Sequence, residues 1–369
     1  MECKYFGQCG ACRVYEDGYE AQLAQKHHHV VELFKDLYCG EITLFRSQEE
    51  HYRARSEFKI WHDGDAIYYA MNHQDKGVVC IDECPQVALP IAELMPKLLK
   101  QIVQYDLGYK LFGADFLSGS DGDMVVSLLY HRQLDEAWDE VAKNIANNLH
   151  ISLIGRARKQ KRVIGKDYVT QDLMICGKKY SFEYIENSFS QPNPHVNEQM
   201  ITWALTQLKE QNGDLLELYC GAGNFTIPFA THFRKVLATE ISKSSIHAAQ
   251  RNMQKNGVTN IEFVRMAVED FRDALDGVRV FRRMKGIDIS SYDITTIFVD
   301  PPRSGMDEDS AHFCARYNTI LYISCNPETL QRDLKILTQT HTIVSMALFD
   351  QFPYTHHVEM GVMLVKKSV

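Results

Sequence analysis

At 369 residues, with 45% apolar and 24% charged side chains, the chain is long enough to bury a full core and to form two domains. Its formal charge of −8 excludes a uniformly basic nucleic-acid binder, because phosphate contacts need a positive field; any RNA site must be local. Residues 1–17 are polar with no apolar signal region, and no uncharged run approaches the roughly 18 residues of a membrane span, which predicts a cytoplasmic protein without membrane contact.

Ten cysteines in a reducing compartment point to ligation, catalysis or burial rather than disulfides. Residues 1–50 read as an appendage. It opens on Cys3, Cys9 and Cys12, and Cys84 in a Glu-Cys-Pro is a better fourth thiol than Cys80. Four thiolates, one of them in a Cys-Pro, suit a [4Fe-4S] cluster. Structural zinc is the rival, although all-cysteine zinc sites more often pair two short knuckles. A helix follows around Tyr19 to Leu37, and its His27, His28 and His29 read as an exposed face rather than a metal site.

Residues 51–180 alternate strand-like runs (Glu57 to Trp61, Ala66 to Ala70, Met124 to Tyr130, Ile151 to Ile154) with helical ones (Ile91 to Val103, Leu134 to Asn148), a compact α/β module. Arg156, Arg158, Lys159, Lys161, Arg162 and Lys166 place six positive charges and no negative one in eleven residues. Such a run is either a local RNA contact or a solvated strand-turn face.

Residues 181–369 repeat strand, tight turn and helix, the grammar of a doubly wound α/β sheet whose strand ends bind ligands. Leu215 to Cys220 runs into Gly221-Ala222-Gly223-Asn224, and Glu240 ends the next strand 19 residues after Gly221, where a carboxylate can take both ribose hydroxyls. A nucleoside cofactor fits this pair better than a dinucleotide, since the third glycine is missing. Asp300 is held at a strand end by Pro301 and Pro302. Cys325, in Ser-Cys-Asn-Pro just before a helix starting near Glu328, is the candidate nucleophile; the helix N-terminus is expected to lower its pKa toward neutrality. Glu359 is the candidate base.

Residues 187–193 (NSFSQPN), 216–221 (LELYCG), 298–305 (FVDPPRSG), 324–329 (SCNPET) and 349–357 (FDQFPYTHH) together resemble the RNA (uracil-5-)-methyltransferase family, closest to its tRNA branch. The likeness extends to residues 52–64 in the middle module. It implies a class I (Rossmann-like) S-adenosylmethionine methyltransferase sheet preceded by an α/β RNA-recognition module. It also implies cofactor contacts from Gln191, Tyr219, Asn224, Glu240 and Asp300, with Cys325 as nucleophile on uracil C6 and Glu359 as proton acceptor. The substrate implied is a uridine of the tRNA T-loop, with tmRNA as a further one, acted on by a monomer. Arg53, Arg55, Lys59 and Phe112 are expected backbone and stacking contacts to the RNA. The N-terminal cysteines instead resemble those of the ribosomal-RNA relatives, which keeps 23S rRNA open as the alternative, with a non-catalytic RNA-binding factor as a further one. There is no room before Cys3 for the small β-barrel some of those relatives carry. Nothing in the sequence places the four thiols near Cys325, and stability or RNA positioning is their default role.

Overall fold

The computed structural model describes residues 1–64, 66–208 and 213–368. The chain runs through α1 (Gly18–Phe34), β1 (Ile42–Phe45), β2 (Arg55–Asp63), β3 (Ala66–Asn72), β4 (Val78–Ile81), α2 (Leu89–Gln104), β5 (Leu111–Ser118), β6 (Met124–Tyr130), α3 (Glu136–Leu149), β7 (Ser152–Ala157) and β8 (Gln160–Ile164). A hairpin of β9 (Tyr168–Ile175) and β10 (Lys178–Ile185) leads to α4 (Pro194–Gln207), β11 (Asp214–Leu218), α5 (Thr226–Phe229), β12 (Val236–Glu240), α6 (Lys243–Lys255), β13 (Ile261–Arg265) and α7 (Val268–Leu275). The last elements are β14 (Ile294–Val299), α8 (Glu308–Cys314), β15 (Thr319–Ser324), α9 (Pro327–Leu337), β16 (His341–Phe349) and β17 (Glu359–Lys366).

Seven strands in the order β4-β3-β2-β5-β6-β7-β8 form the smaller sheet. Its β2 alternates buried and exposed residues, with Phe58 and Ile60 turned inward and Glu57, Lys59 and Trp61 outward, as expected of a strand with one open face. The inward face packs on α2 and α3. The outward face is covered only in part: Leu117, Val125 and Ile154 share a core with Val169 and Leu173 of the β9–β10 hairpin.

The larger sheet has the order β1-β16-β17-β15-β14-β11-β12-β13. Strands β11 and β15 are buried at every position, which is the pattern of parallel strands covered on both faces. From β11 the chain moves outward through β12 and β13, then returns to the other side of β11 as β14, so the topological switch lies between β11 and β14. Ligands of doubly wound sheets bind in the crevice at such a switch.

Residues 1–50 are not an appendage. Strand β1 pairs in parallel with β16, from Ile42 opposite Met346 to Phe45 opposite Phe349, and Val30 and Phe34 of α1 enter the core of the larger sheet. Four residues are too few to show a strand period, so β1 is stabilised by its partner rather than by its own pattern. A boundary near residue 180 falls inside β10.

Candidate active site

The parallel strands of the larger sheet deliver their ends to one edge. Leu218 pairs with both Thr239 and Val299, which sets Tyr219, Glu240 and Asp300 side by side just beyond the strands. Ser324 of β15 pairs with Met360 of the antiparallel β17, so Cys325 stands opposite Glu359. These five residues and Gln191 line a single cleft of about 1230 Å³. Asn224, expected among the cofactor contacts, is not among the residues that line this cleft. Its side chain exchanges hydrogen bonds with Asn197 (2.8 and 2.9 Å) and accepts from Tyr184 Oη (3.2 Å), which fixes the turn.

The turn after β11 is built to hold a ligand. Glu240 accepts from the backbone N–H groups of Gly221 (3.1 Å) and Ser242 (2.7 Å), which aims the carboxylate at the cleft. Gly221 has φ +54°, and a Cβ added there would meet nothing within 4 Å. The space beside its backbone therefore stays open to a ligand. Tyr219 holds φ 64° without being glycine, a strained conformation maintained by the packed strand end.

Burial controls the protonation of the chemical groups. It pushes Asp300 up to about 7. Glu359 is held well above the usual carboxylate range, first by burial and then by the neighbouring Asp300. The Cys325 thiol is raised to about 11 by burial, with the carboxyls of Glu359 and Asp300 adding to it and Arg303 opposing. The expectation that the helix N-terminus would lower this thiol is therefore overturned. Asn326 caps α9, and its side-chain oxygen takes the Glu328 N–H (3.1 Å), so the helix end spends that donor on its own cap. Beneath the site lies Glu217, fully buried on β11 and raised to about 8 by burial, and its Oε2 has no hydrogen-bond partner among the described residues.

A network from α1 holds the loop that leads to Glu359. Lys26 Nζ donates to Asp350 Oδ1 (2.6 Å) and to the Phe352 carbonyl (2.9 Å), and Gln22 Nε2 donates to Asp350 Oδ2 (3.0 Å). The Lys26 and Asp350 side chains are 5% and 0% exposed. The next residue, Gln351, donates through Nε2 to Gln191 Oε1 at 2.7 Å, so the same loop also fixes the side chain expected to contact the cofactor. Sequence reasoning missed Lys26, Asp350 and Gln351, although the last two lie in a motif it singled out.

The four N-terminal thiols Cys3, Cys9, Cys12 and Cys84 line the same cleft as Cys325. Burial raises Cys84 to about 11 and Cys9 and Cys12 above the usual thiol range, and the neighbouring thiols add to each shift. Gln86 Nε2 donates to Cys12 Sγ at 2.9 Å. The donor chemistry suits a thiolate-held group, yet no three His, Cys, Asp or Glu side chains among the described residues stand together as a ligand set. Cys80 is exposed on β4. His28 and His29 are exposed on α1, as expected, whereas His27 is half-buried and bonds the Ile42 carbonyl (3.2 Å).

Of the expected RNA contacts, Arg53 and Arg55 line the cleft. The Arg53 guanidinium lies 5.5 Å from the centre of the Phe352 ring, and Arg55 donates to the Ser188 carbonyl. Phe112 lies away from the cleft, stacked on His131 with centroids 4.0 Å apart. Lys59 bonds Asn72 on the outward sheet face. Four of the six cations in the basic run are paired: Arg156 with Glu186, Lys161 with Asp167, Arg162 with Asp139 and Lys166 with Asp123. Phe189, 78% exposed on the cleft wall, and His357, which bonds Arg303 (3.1 Å), complete the rim.

Comparison with known proteins gives one family. The model for tRNA (uracil-5-)-methyltransferase matches residues 18–367, a span that begins after Cys12. A protein of Sulfurimonas denitrificans named tRNA/tmRNA (uracil-C(5))-methyltransferase is 63% identical over 369 residues, the whole of both chains. A Vibrio vulnificus protein of the same name is 48% identical over 95% of this chain and 97% of that one. Among solved structures, the tRNA (uracil-54, C5)-methyltransferase of Pyrococcus abyssi, in complex with S-adenosyl-L-homocysteine, superimposes with a TM-score of 0.72. It covers 94% of this chain and 84% of its own at 23% identity, which shows a shared fold. No helix among the described residues is long and apolar enough to cross a membrane.

Proposed function

The chain belongs to the tRNA (uracil-5-)-methyltransferase family, and from that premise we propose that it transfers the methyl group of S-adenosyl-L-methionine to C5 of the T-loop uridine of tRNA, with tmRNA as a further substrate. The observation that carries the reading is the meeting of Cys325 and Glu359 at the sheet edge that also presents Glu240 and Asp300. The names of the relatives support tRNA over 23S rRNA.

C5 of uracil is a poor carbon nucleophile. Addition of the Cys325 thiolate to C6 moves the C5–C6 π electrons into an enolate that is nucleophilic at C5. S-adenosyl-L-methionine, when bound, supplies the electrophilic methyl group for that carbon. Glu359, as carboxylate, then removes the C5 proton; the electrons of that bond restore the double bond as the C6–S bond breaks and the thiolate leaves. Burial favours the protonated form of both side chains, and each acts only once its proton is lost. Glu240 is placed to take the ribose hydroxyls of the cofactor beside the open Gly221 turn, while Arg53 and Arg55 hold the RNA backbone at the mouth as the target base is flipped in.

Methyl transfer from labelled S-adenosyl-L-methionine to unmodified tRNA, with 23S rRNA lacking 5-methyluridine alongside, tests the substrate. Cys325→Ala should abolish transfer, and tRNA carrying 5-fluorouridine should trap a covalent complex, because C5–F cannot lose fluorine as a proton is lost. Near-normal turnover by Cys325→Ala would rule out the covalent route.

The thiols of Cys3, Cys9, Cys12 and Cys84 are the donor set for a [4Fe-4S] cluster, which would have to displace protons from these thiols, three of them raised by burial, and draw them together. Iron and sulfide in anaerobically purified protein support this reading. Zinc in their place would support the structural alternative and leave the methyl transfer unaffected.

A further inference from the structure

We propose that the outward face of the β2–β3 hairpin, built on Trp61 and Tyr68, is a stacking platform for nucleotides of the RNA substrate beyond the target uridine; the inference rests on the RNA-methylating function above. Trp61 is 47% exposed and Tyr68 41%. The two residues are opposite one another in the antiparallel register, so both rings leave the same side of the sheet. The other two tryptophans, Trp138 and Trp203, are 2% and 5% exposed.

This face is continuous with the active-site cleft. Arg55, Glu57, Lys59 and Trp61 alternate along one side of β2, and Arg55 and Glu57 already line the cleft. Six residues of strand separate Arg55 from Trp61, about 20 Å, which is several nucleotides from a uridine held at Cys325. The other end of this sheet face is covered by the β9–β10 hairpin, whereas no helix or strand among the described residues covers Trp61 and Tyr68.

Charge favours RNA as the occupant. Lys59 stands on the same face between the cleft and the rings. The start of β5 is tied to the end of β2 by the contact of His62 Nε2 with the Leu111 carbonyl (2.6 Å), which brings Lys110 alongside, and Arg132 Nε donates to the Tyr109 carbonyl (3.1 Å). None of Lys59, Lys110 and Arg132 forms an ion pair among the described residues, whereas most of the basic run 156–166 does. Exposed rings beside unpaired cations match alternating bases and phosphates. Two rings are too small a core for a stable protein interface, which needs about 800 Å² from each partner.

The exposed Trp61 is its own probe. Acrylamide quenching of tryptophan emission should report Trp61 in the full-length protein, since Trp138 and Trp203 are buried, with Trp61→Phe as the control. An unmodified tRNA transcript that the wild-type protein methylates should shield this emission. The double variant Trp61→Ala, Tyr68→Ala should raise the KM for that transcript about tenfold or more while leaving kcat within about twofold. Unchanged quenching together with a KM within about twofold of wild type would overturn the platform while the function stands. If wild-type protein does not methylate the transcript, the function fails and the platform with it. Should the double variant lose its fold, the quenching of the wild-type protein decides alone.

Discussion

Binding of S-adenosyl-L-methionine should expel protons, because burial raises the carboxyls of Asp300 and Glu359, whose charged forms a cation favours. Asp300 is raised by burial to about 7, so near pH 7 about half of the chains hold its proton. A sulfonium about 5 Å away at an effective dielectric of about 20 favours the carboxylate by roughly 3 kcal/mol, or about two pKa units. Asp300 alone should then release about 0.5 proton at pH 7, about 0.8 at pH 6 and about 0.1 at pH 8, with Glu359 adding to each value. Titration calorimetry in buffers of different ionisation enthalpy measures this number directly. S-adenosyl-L-homocysteine has the same shape but an uncharged thioether, and it should release clearly less. Asp300→Asn should remove the half proton at pH 7. Equal release for the two ligands, or uptake of protons with the sulfonium, would refute the idea that charge rather than shape resets these groups.

The same burial makes the empty site a source of instability above neutral pH. Asp300 has a folded pKa of about 7 against about 3.9 unfolded, so between these values the native state binds the extra proton; stability falls as pH rises from about 4 to about 7, by up to about 4 kcal/mol. Urea unfolding at pH 5 and pH 8 should show about 2–3 kcal/mol of that loss, and Asp300→Asn should reduce it. Lys26→Met leaves the buried Asp350 carboxylate without its ammonium, with Gln22 and the Tyr19 hydroxyl beside it, and should cost about 3–5 kcal/mol in urea unfolding; a change below about 1 kcal/mol would mean that water or a rearranged loop takes the place of the ammonium. Gln351→Ala removes the 2.7 Å bond that orients Gln191, and kcat/KM should fall about five- to a hundredfold, by about 1–3 kcal/mol. A normal kcat/KM would mean that Gln191 is oriented without it.

What was legible in the sequence was whatever a local pattern dictates. The buried runs of β11, β14 and β15 and the polar groups at their ends are short-range facts, and they placed Tyr219, Asp300 and Cys325 at one edge before any coordinates. What escaped was set by distant partners. Strand β1 exists because β16 accepts it, not because residues 42–45 carry a signal of their own. Asn224 is a cofactor contact by resemblance alone, and its hydrogen bonds to Asn197, 27 residues away, could not be read from the sequence. The thiol of Cys325 was expected to be acidic from its place before a helix, and that reasoning left out two carboxyls, one of them from β17, and the removal of water around them.

Charge shows the same limit most clearly, and it bears on how an acidic protein can bind RNA. The densest basic run, 156–166, stays open in sequence between an RNA contact and a solvated face, because a linear count cannot see Asp123, Asp139 and Glu186 arriving from before β6, from α3 and from the end of β10. Once folded, those acids neutralise most of it. On this sheet, the cations without an ion pair among the described residues include some scattered in sequence: Arg53 and Arg55 before and in β2, Lys59 further along the same strand, and Lys110 and Arg132 at the near ends of β5 and β6. None of them stands out in a window of eleven residues, yet the sheet gathers them along one strand and its neighbours, leading from the cleft of Cys325. A net charge of −8 is then no obstacle, because the field an RNA strand meets is that of the unpaired cations within about a Debye length, roughly 8–10 Å, and not the sum over the chain.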